Sequence, residues 1–165
     1  MKELTQVRDA VAAALARAGV TALPAFPAER AKAYPGAVAT VAVGAAEGRP
    51  LGFCSYLGER ADPETGAVRE RYGKQLEGVI SVDVRAERAA VCEQGCEAAS
   101  EALLGDLPPG VRPGELRWEA LTWERATGLF LRRGSLRCQA VFTAESREDG
   151  AEFLDFILRG AVKHE

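Results

Sequence analysis

Histidine is almost absent from this sequence: 165 residues include one, His164, beside the C-terminus. A catalytic Cys–His pair would have to use a base at a fraying end, and an imidazole-rich zinc site has no residues to draw on. Runs of lysine and arginine are missing too. The close basic pairs are Arg69/Arg71, which flank Glu70, and Arg132/Arg133. With 21 basic and 24 acidic side chains the formal net charge is -3. The strongly basic face that phosphate contacts require is therefore not expected, and neither is direct recognition of nucleic acid. No stretch approaches the ~20 apolar residues that span a bilayer. The opening Met-Lys-Glu-Leu-Thr runs into an amphipathic pattern instead of the apolar core of a signal peptide. The expectation is a cytoplasmic chain, away from membranes, with its thiols reduced.

Catalytic signatures are also scarce. Gly44, Gly48 and Gly52 are not followed by the Gly-Lys-Ser/Thr of a phosphate loop, and strand-like segments surround them. No Gly-x-Ser-x-Gly elbow occurs. Of the 24 acids, Asp83 and Asp155 lie in strand-like surroundings and are the best carboxylate candidates, although acids on a polar sheet face are common. Cys92 and Cys96, four apart, share a helix face, while Cys54 and Cys138 stand alone. Zinc needs a second pair or histidine partners, so the cysteines read as small buried apolar residues and no metal or cofactor is expected. Trp118 and Trp123 could stack bases only beside a basic groove, so they read as core or interface aromatics.

What the sequence does contain is an ordinary globular composition, 47% hydrophobic and 27% charged, at a length suited to one domain spanning 1–165. Leu4, Val7, Val11, Leu15 and Ala18 recur at helical spacing from Glu3 to Ala18, with Gly19 as the stop. Thr21 to Phe26 is an edge strand or an extended connector, since Pro24 and Pro27 cannot donate to a central ladder. Ala28 to Pro35 reads as a loop. Val38 to Val43 reads as a buried strand closed by a turn region from Gly44 to Pro50, and Leu51 to Leu57 as a further strand. Asp62-Pro63-Glu64-Thr65-Gly66 is a turn, followed by an extended Ala67 to Tyr72. Leu76 to Arg85 alternates Ile80, Val82 and Val84 with Ser81, Asp83 and Arg85, so one of its faces is covered.

Glu87 to Leu104 returns to helical period, with the small residues Gly95, Ala98, Ala99 and Ala102 suited to lying flat on a sheet. Glycines and prolines from Gly105 to Gly114 mark a break. Glu115 to Trp123 and Gly128 to Arg133 form a hairpin candidate, Ser135 to Ala144 a strand, and Phe153 to Leu158 a short strand or tail within a C-terminal segment of about 153–165. Helix, strands, helix, strands gives an α+β fold: a mostly antiparallel sheet with two helices packed on one face.

The segment from Tyr56 to Glu77 stands out. It carries Glu59, Arg60, Asp62, Glu64, Arg69, Glu70, Arg71, Lys74 and Glu77, four basic and five acidic groups. Hairpin loops usually run two to five residues. A solvated loop is one reading. The other is a projecting β-hairpin arm whose mixed charges meet a neighbouring copy, with Arg60, Asp62, Glu64, Arg69, Arg71 and Lys74 as contact residues. Charges of both signs set register in such contacts, and heterologous contacts can close into rings.

The order of elements, with "PAFPAERAKAYPGAVATVAVG", then "GFCSYLGERADPETGAVRERYGKQLEGVISVDV", a small-residue helix, a hairpin-rich end and "EFLDFILRG", resembles the tail terminator (tail completion) proteins of long-tailed phages, in the form found in prophages of Gram-positive bacteria. The resemblance runs over nearly the whole chain and is concentrated between Pro35 and Val84. It implies an α+β structural protein without catalysis or cofactor. It also implies a homo-oligomeric ring, a hexamer, that caps the tail tube and offers a surface to the head connector. Its partners would be its own copies, the tube protein and the connector. Assembly would take place in the bacterial host cytoplasm and the finished protein would belong to the virion tail. Neighbouring roles remain open, as another head–tail connector, a tube-like protein or a small-molecule-binding α+β protein.

Overall fold

A computed structural model describes residues 2–26, 34–146 and 155–160. In chain order the elements are α1 (Lys2–Arg17), β1 (Thr21–Leu23), β2 (Val38–Pro50), β3 (Tyr56–Ala61), β4 (Val68–Ala86), α2 (Ala89–Gly105), β5 (Val111–Trp118), β6 (Thr122–Glu124), β7 (Leu129–Ser146) and β8 (Ile157–Leu158). One eight-stranded sheet runs β1-β2-β4-β7-β5, with β3 added to β4 and with β6 and β8 added to β7. All pairs are antiparallel except β1 with β2. This is the α+β architecture expected from the sequence.

Alternation decides which face is covered. Leu76, Ile80, Val82, Val84 and Ala86 of β4 are buried, and directly opposite them on β7 are Ala140, Leu136, Gly134, Arg132 and Phe130. Both helices pack on this side. Val7, Val11 and Leu15 of α1 and Cys92, Cys96, Ala99 and Leu103 of α2 join the same core. Burying each large aliphatic side chain contributes roughly 1.5–3 kcal/mol. Gly95 lets α2 approach closely, because a Cβ there would lie 2.5 Å from the Ala37 Cβ and 3.2 Å from Val84. Helix α1 ends as its sequence suggests: Gly19 takes φ +84, Val20 N–H donates to Leu15 O and Gly19 N–H to Ala16 O, which satisfies the last carbonyls. No helix among the described residues is long and apolar enough to cross a membrane.

Several boundaries differ from the sequence reading. Gly44 to Pro50 is not a turn: β2 continues to Pro50, paired with β4 as far as Lys74, after a bulge between Val43 and Ala46 absorbs Gly44 and Ala45. The glycines there mark close backbone approach, since a Cβ at Gly44 would sit 3.2 Å from Val79 O. Leu51 to Leu57 is not a strand; residues 51–55 form a loop and β3 starts at Tyr56. The two extended runs 67–72 and 76–85 are one 19-residue strand, and 128–133 and 135–144 are one 18-residue strand. Strand β5 begins at Val111, before the expected Glu115. Pro113 is tolerated because β5 is an edge strand with an irregularity between Pro113 and Leu116. The hairpin around Glu124 to Gly128 is present, joining β6 to β7. Most of the expected Ala28–Pro35 loop, residues 153 and 154 of the tail, and His164 lie outside the described residues.

Candidate assembly surface

Strand β4 is longer than the helical layer that covers it. From Lys74 onward it is flanked by β2; before that, β3 takes over the same side, from Tyr56 opposite Tyr72 to Ala61 opposite Val68. Strands β2 and β3 are thus two halves of one long strand, interrupted by the loop at 51–55. Gly73 bridges the interruption. Its carbonyl accepts from Leu51 N–H at 3.0 Å and its N–H donates to Ser55 O at 2.8 Å. Three loop residues take positive φ, Gly52 (66), Cys54 (51) and Ser55 (70), and Tyr56 N–H donates to Phe53 O at 2.9 Å. Side chains rarely adopt this conformation, so the loop is held against a local cost. It presents Phe53 at 86% exposure.

The far end closes as its turn chemistry dictates. Asp62 N–H donates to Ala67 O, Gly66 N–H to Asp62 O, and Gly66 has φ +69. The Asp62 carboxylate accepts the Glu64 N–H at 2.9 Å, and that bond holds its carboxyl below the usual aspartate range. Of the arm inferred from Tyr56 to Glu77, Tyr56 to Tyr72 is a β3–β4 hairpin with the expected Asp-Pro-Glu-Thr-Gly turn as its tip; Glu70 to Tyr72 also pair with β7, and Lys74 to Glu77 lie in the main sheet between β2 and β7.

The register sorts the arm's charges by sign. Arg60 opposes Arg69, and Arg71 opposes Gly58 on one side and Glu145 of β7 on the other, so these three arginines share the open face of the sheet. Arg69 also lies 3.5 Å from Glu145. Glu59 opposes Glu70 on the other face, with Tyr56 and Tyr72 ring to ring at 5.7 Å and Val68 beside them. Tyr72 Oη donates to the Glu70 carboxylate at 2.5 Å, which raises the Tyr72 phenol. The Tyr56 phenol is raised by desolvation and by Glu59 and Glu70. Among the described residues six large apolar side chains are exposed, and four of them, Phe53, Tyr56, Leu57 and Val68, are on the arm or its loop.

Of the six contact residues named from the sequence, Arg60, Asp62, Glu64, Arg69 and Arg71 are exposed or at the tip. Lys74 differs: its ammonium pairs with Glu3 of α1 and sits 4.0 Å above the Phe156 ring, anchoring the root of the arm to the helix layer. Sequence reasoning did not single out Tyr56, Glu59, Glu70 and Tyr72 as a group. Period two along Val68 to Tyr72 carried half of that signal.

The other candidates are dispersed. Asp83 projects from the open face beside Arg85 and Arg133; burial raises its carboxyl and those arginines oppose the rise. Asp155 pairs with Lys2 at the start of α1. Cys92 and Cys96 are buried on the covered face of α2, and the Cys92 thiol donates to Val84 O at 3.3 Å. Cys138 is buried, its thiol pushed up to about 11, and Cys54 is exposed in the 51–55 loop. Among the described residues no group of His, Cys, Asp and Glu is placed to hold a metal ion. Trp118 packs on Gly134 and donates to Ser100 Oγ at 2.9 Å, while Trp123 is exposed against Phe130 at 5.0 Å. A hollow of about 190 Å³ lies between α1 and β2–β4, lined by Glu3, Leu4, Ala46, Gly48, Lys74 and Leu76. It is smaller than the ~300–1,000 Å³ of usual ligand pockets.

No family model matches the chain. No curated protein matches it either. Among solved structures, a chain from "Virion of native gene transfer agent (GTA) particle" is similar to it at 25% sequence identity, over 83% of this chain and 88% of that one, with a TM-score of 0.28.

Proposed function

We propose that this chain is a structural protein of a phage-like tail: a tail terminator that forms a ring, closes the tail tube at its finished length and joins it to the head. The observation that carries the reading is the arm. It extends the sheet beyond its helical cover, is exposed on both faces, and bears both charge and most of the exposed large apolar side chains. Exposed apolar side chains interspersed with charges of both signs suit contact with another protein chain. The stretch from Pro35 to Val84, where the sequence resemblance is concentrated, includes the arm.

On this reading the partners are further copies of the chain in a hexamer, the tube protein and the head connector. Arg60, Asp62, Glu64, Arg69 and Arg71 meet a partner, and Lys74 secures the arm to α1. No catalytic residue, metal or cofactor takes part. The chain would act in the host cytoplasm during assembly and remain in the virion tail. The test is the mass in solution by light scattering, alone and with tube protein, together with electron microscopy of the tubes. A ring-sized mass and tubes of capped length are expected. A chain that stays monomeric with tube present, and leaves tubes uncapped, overturns the proposal.

A further inference from the structure

Opposite charges across a strand pair stabilise a hairpin and like charges destabilise it. The arm does the reverse twice, with Arg60 opposite Arg69 on one face and Glu59 opposite Glu70 on the other. Among the described residues, Glu145 near Arg69 is the one ion-pair partner these four side chains have. Within one molecule the relief is that ion pair and the hydrogen bond from Tyr72 Oη to Glu70, while Arg60 and Glu59 have no ion-pair partner among the described residues. The pairing produces a hairpin with a basic face and an acidic, aromatic face. All four charged side chains are exposed.

We infer that the arm stacks on the arm of a second copy, basic face against acidic face. The chemistry of the two faces matches. Guanidinium groups pair with carboxylates and also lie over aromatic rings, and the acidic face offers both, Glu59 and Glu70 beside Tyr56 and Tyr72. The dimensions match as well, because both charge pairs come from neighbouring positions of the same two strands. The contact joins two different surfaces, so each copy has one of each left over and the interaction propagates from copy to copy. Alternation of faces also excludes a two-fold dimer through this contact, which would place arginine on arginine. The inference deepens the ring proposed above and rests on that reading only for its biological setting.

Charge reversal tests it. Arg60→Glu with Arg69→Glu leaves Arg71 as the one arginine on the basic face of the arm and turns that face net acidic; Glu59→Arg with Glu70→Arg makes both faces basic. The wild-type chain should associate in a concentration-dependent way in low salt and lose mass as salt rises. Each double variant alone should be monomeric by light scattering with an unchanged circular dichroism spectrum, and an equimolar mixture of the two should recover the mass. If the Glu70 change disturbs the hairpin, Glu59→Arg alone, mixed with Arg60→Glu, serves the same purpose. Association that survives both double variants, a wild-type chain monomeric at every salt concentration, or a mixture that stays monomeric would each overturn the inference. Tube capping is read separately: monomers that still cap tubes would leave the tail role standing without the arm contact. Salt-sensitive association with no effect on tubes would leave the contact standing without the tail role.

Discussion

Strand β4 passes through two environments, and the contrast is instructive. From Leu76 to Ala86 its even-numbered side chains, Gly78 apart, are buried under α1 and α2, and β2 and β7 flank it. From Val68 to Tyr72 the same strand has no helix over it among the described residues, and its side chains are exposed or half-exposed. The first half obeys the rules of a core: small residues where backbones approach, and the half-buried Arg85 paired with Glu124. The second half breaks them, with like charges opposed across the hairpin and apolar side chains in solvent. A segment that breaks local rules while its neighbour keeps them is where function is expected.

The largest effect should come from the core half. Phe142→Ala removes a fully buried ring opposite Lys74 and should cost about 3–5 kcal/mol in urea unfolding. Gly134→Val tests packing from the other direction. A Cβ there would lie 2.5 Å from the Trp118 ring and 2.9 Å from Val82 O, so a loss of about 1–3 kcal/mol is expected. A loss as small as that of an arm variant in either case would erase the distinction.

The half-buried charge pair comes next. Arg85 donates to both Glu124 carboxylate oxygens at 2.9 and 3.1 Å, and Glu124→Gln should cost about 1.5–3 kcal/mol near neutral pH. The guanidinium holds the Glu124 carboxyl below its ordinary value of 4.5, and Lys74 does the same for Glu3. A depressed folded pKa gives stability that is present above 4.5 and is lost as pH falls through the folded value. Asp83 has the opposite sign: its raised folded pKa gives a contribution greatest below 3.8 that declines as pH rises through the folded value. Acid unfolding of Glu124→Gln should therefore be shallower than that of the parent, and a parallel acid limb would contradict the assignment.

The smallest effects belong to the arm. Gly52→Ala places a Cβ 2.3 Å from Tyr56 O at φ +66. The 51–55 loop should loosen, with faster exchange of the Tyr56 amide and little change in melting temperature. Arg60→Glu with Arg69→Glu should alter stability by no more than about 0.5 kcal/mol while abolishing self-association. A global loss would mean that the arm belongs to the folding unit and is not a free surface.

Some of this was readable in advance because its cause is local. Helical spacing in α1, the Gly19 stop, the small residues of α2 and the Asp62–Gly66 turn each depend on residues within a few positions, and all appear as read. Glycine was misleading at Gly44 and Gly48. Both read as part of a turn, yet both sit in a long strand where a neighbour comes close, as Gly73 and Gly134 also do. The arm's charges were visible in the sequence as a mixture of signs. Their separation was not, because it depends on register.

The sequence alone determined an α+β chain with two covering helices, a turn at Asp62–Gly66 and a segment rich in both charges, since propensity, period and turn chemistry act over short range. Only the tertiary structure decided that β2 and β3 are one interrupted strand, that Lys74 is tied to α1, and that arginines and glutamates fall on opposite faces of the arm. Those outcomes depend on a bulge between Tyr56 and Gly58 and on pairing with distant β7. A one-residue slip moves every side chain to the other face, so only the assembled sheet could set the pattern.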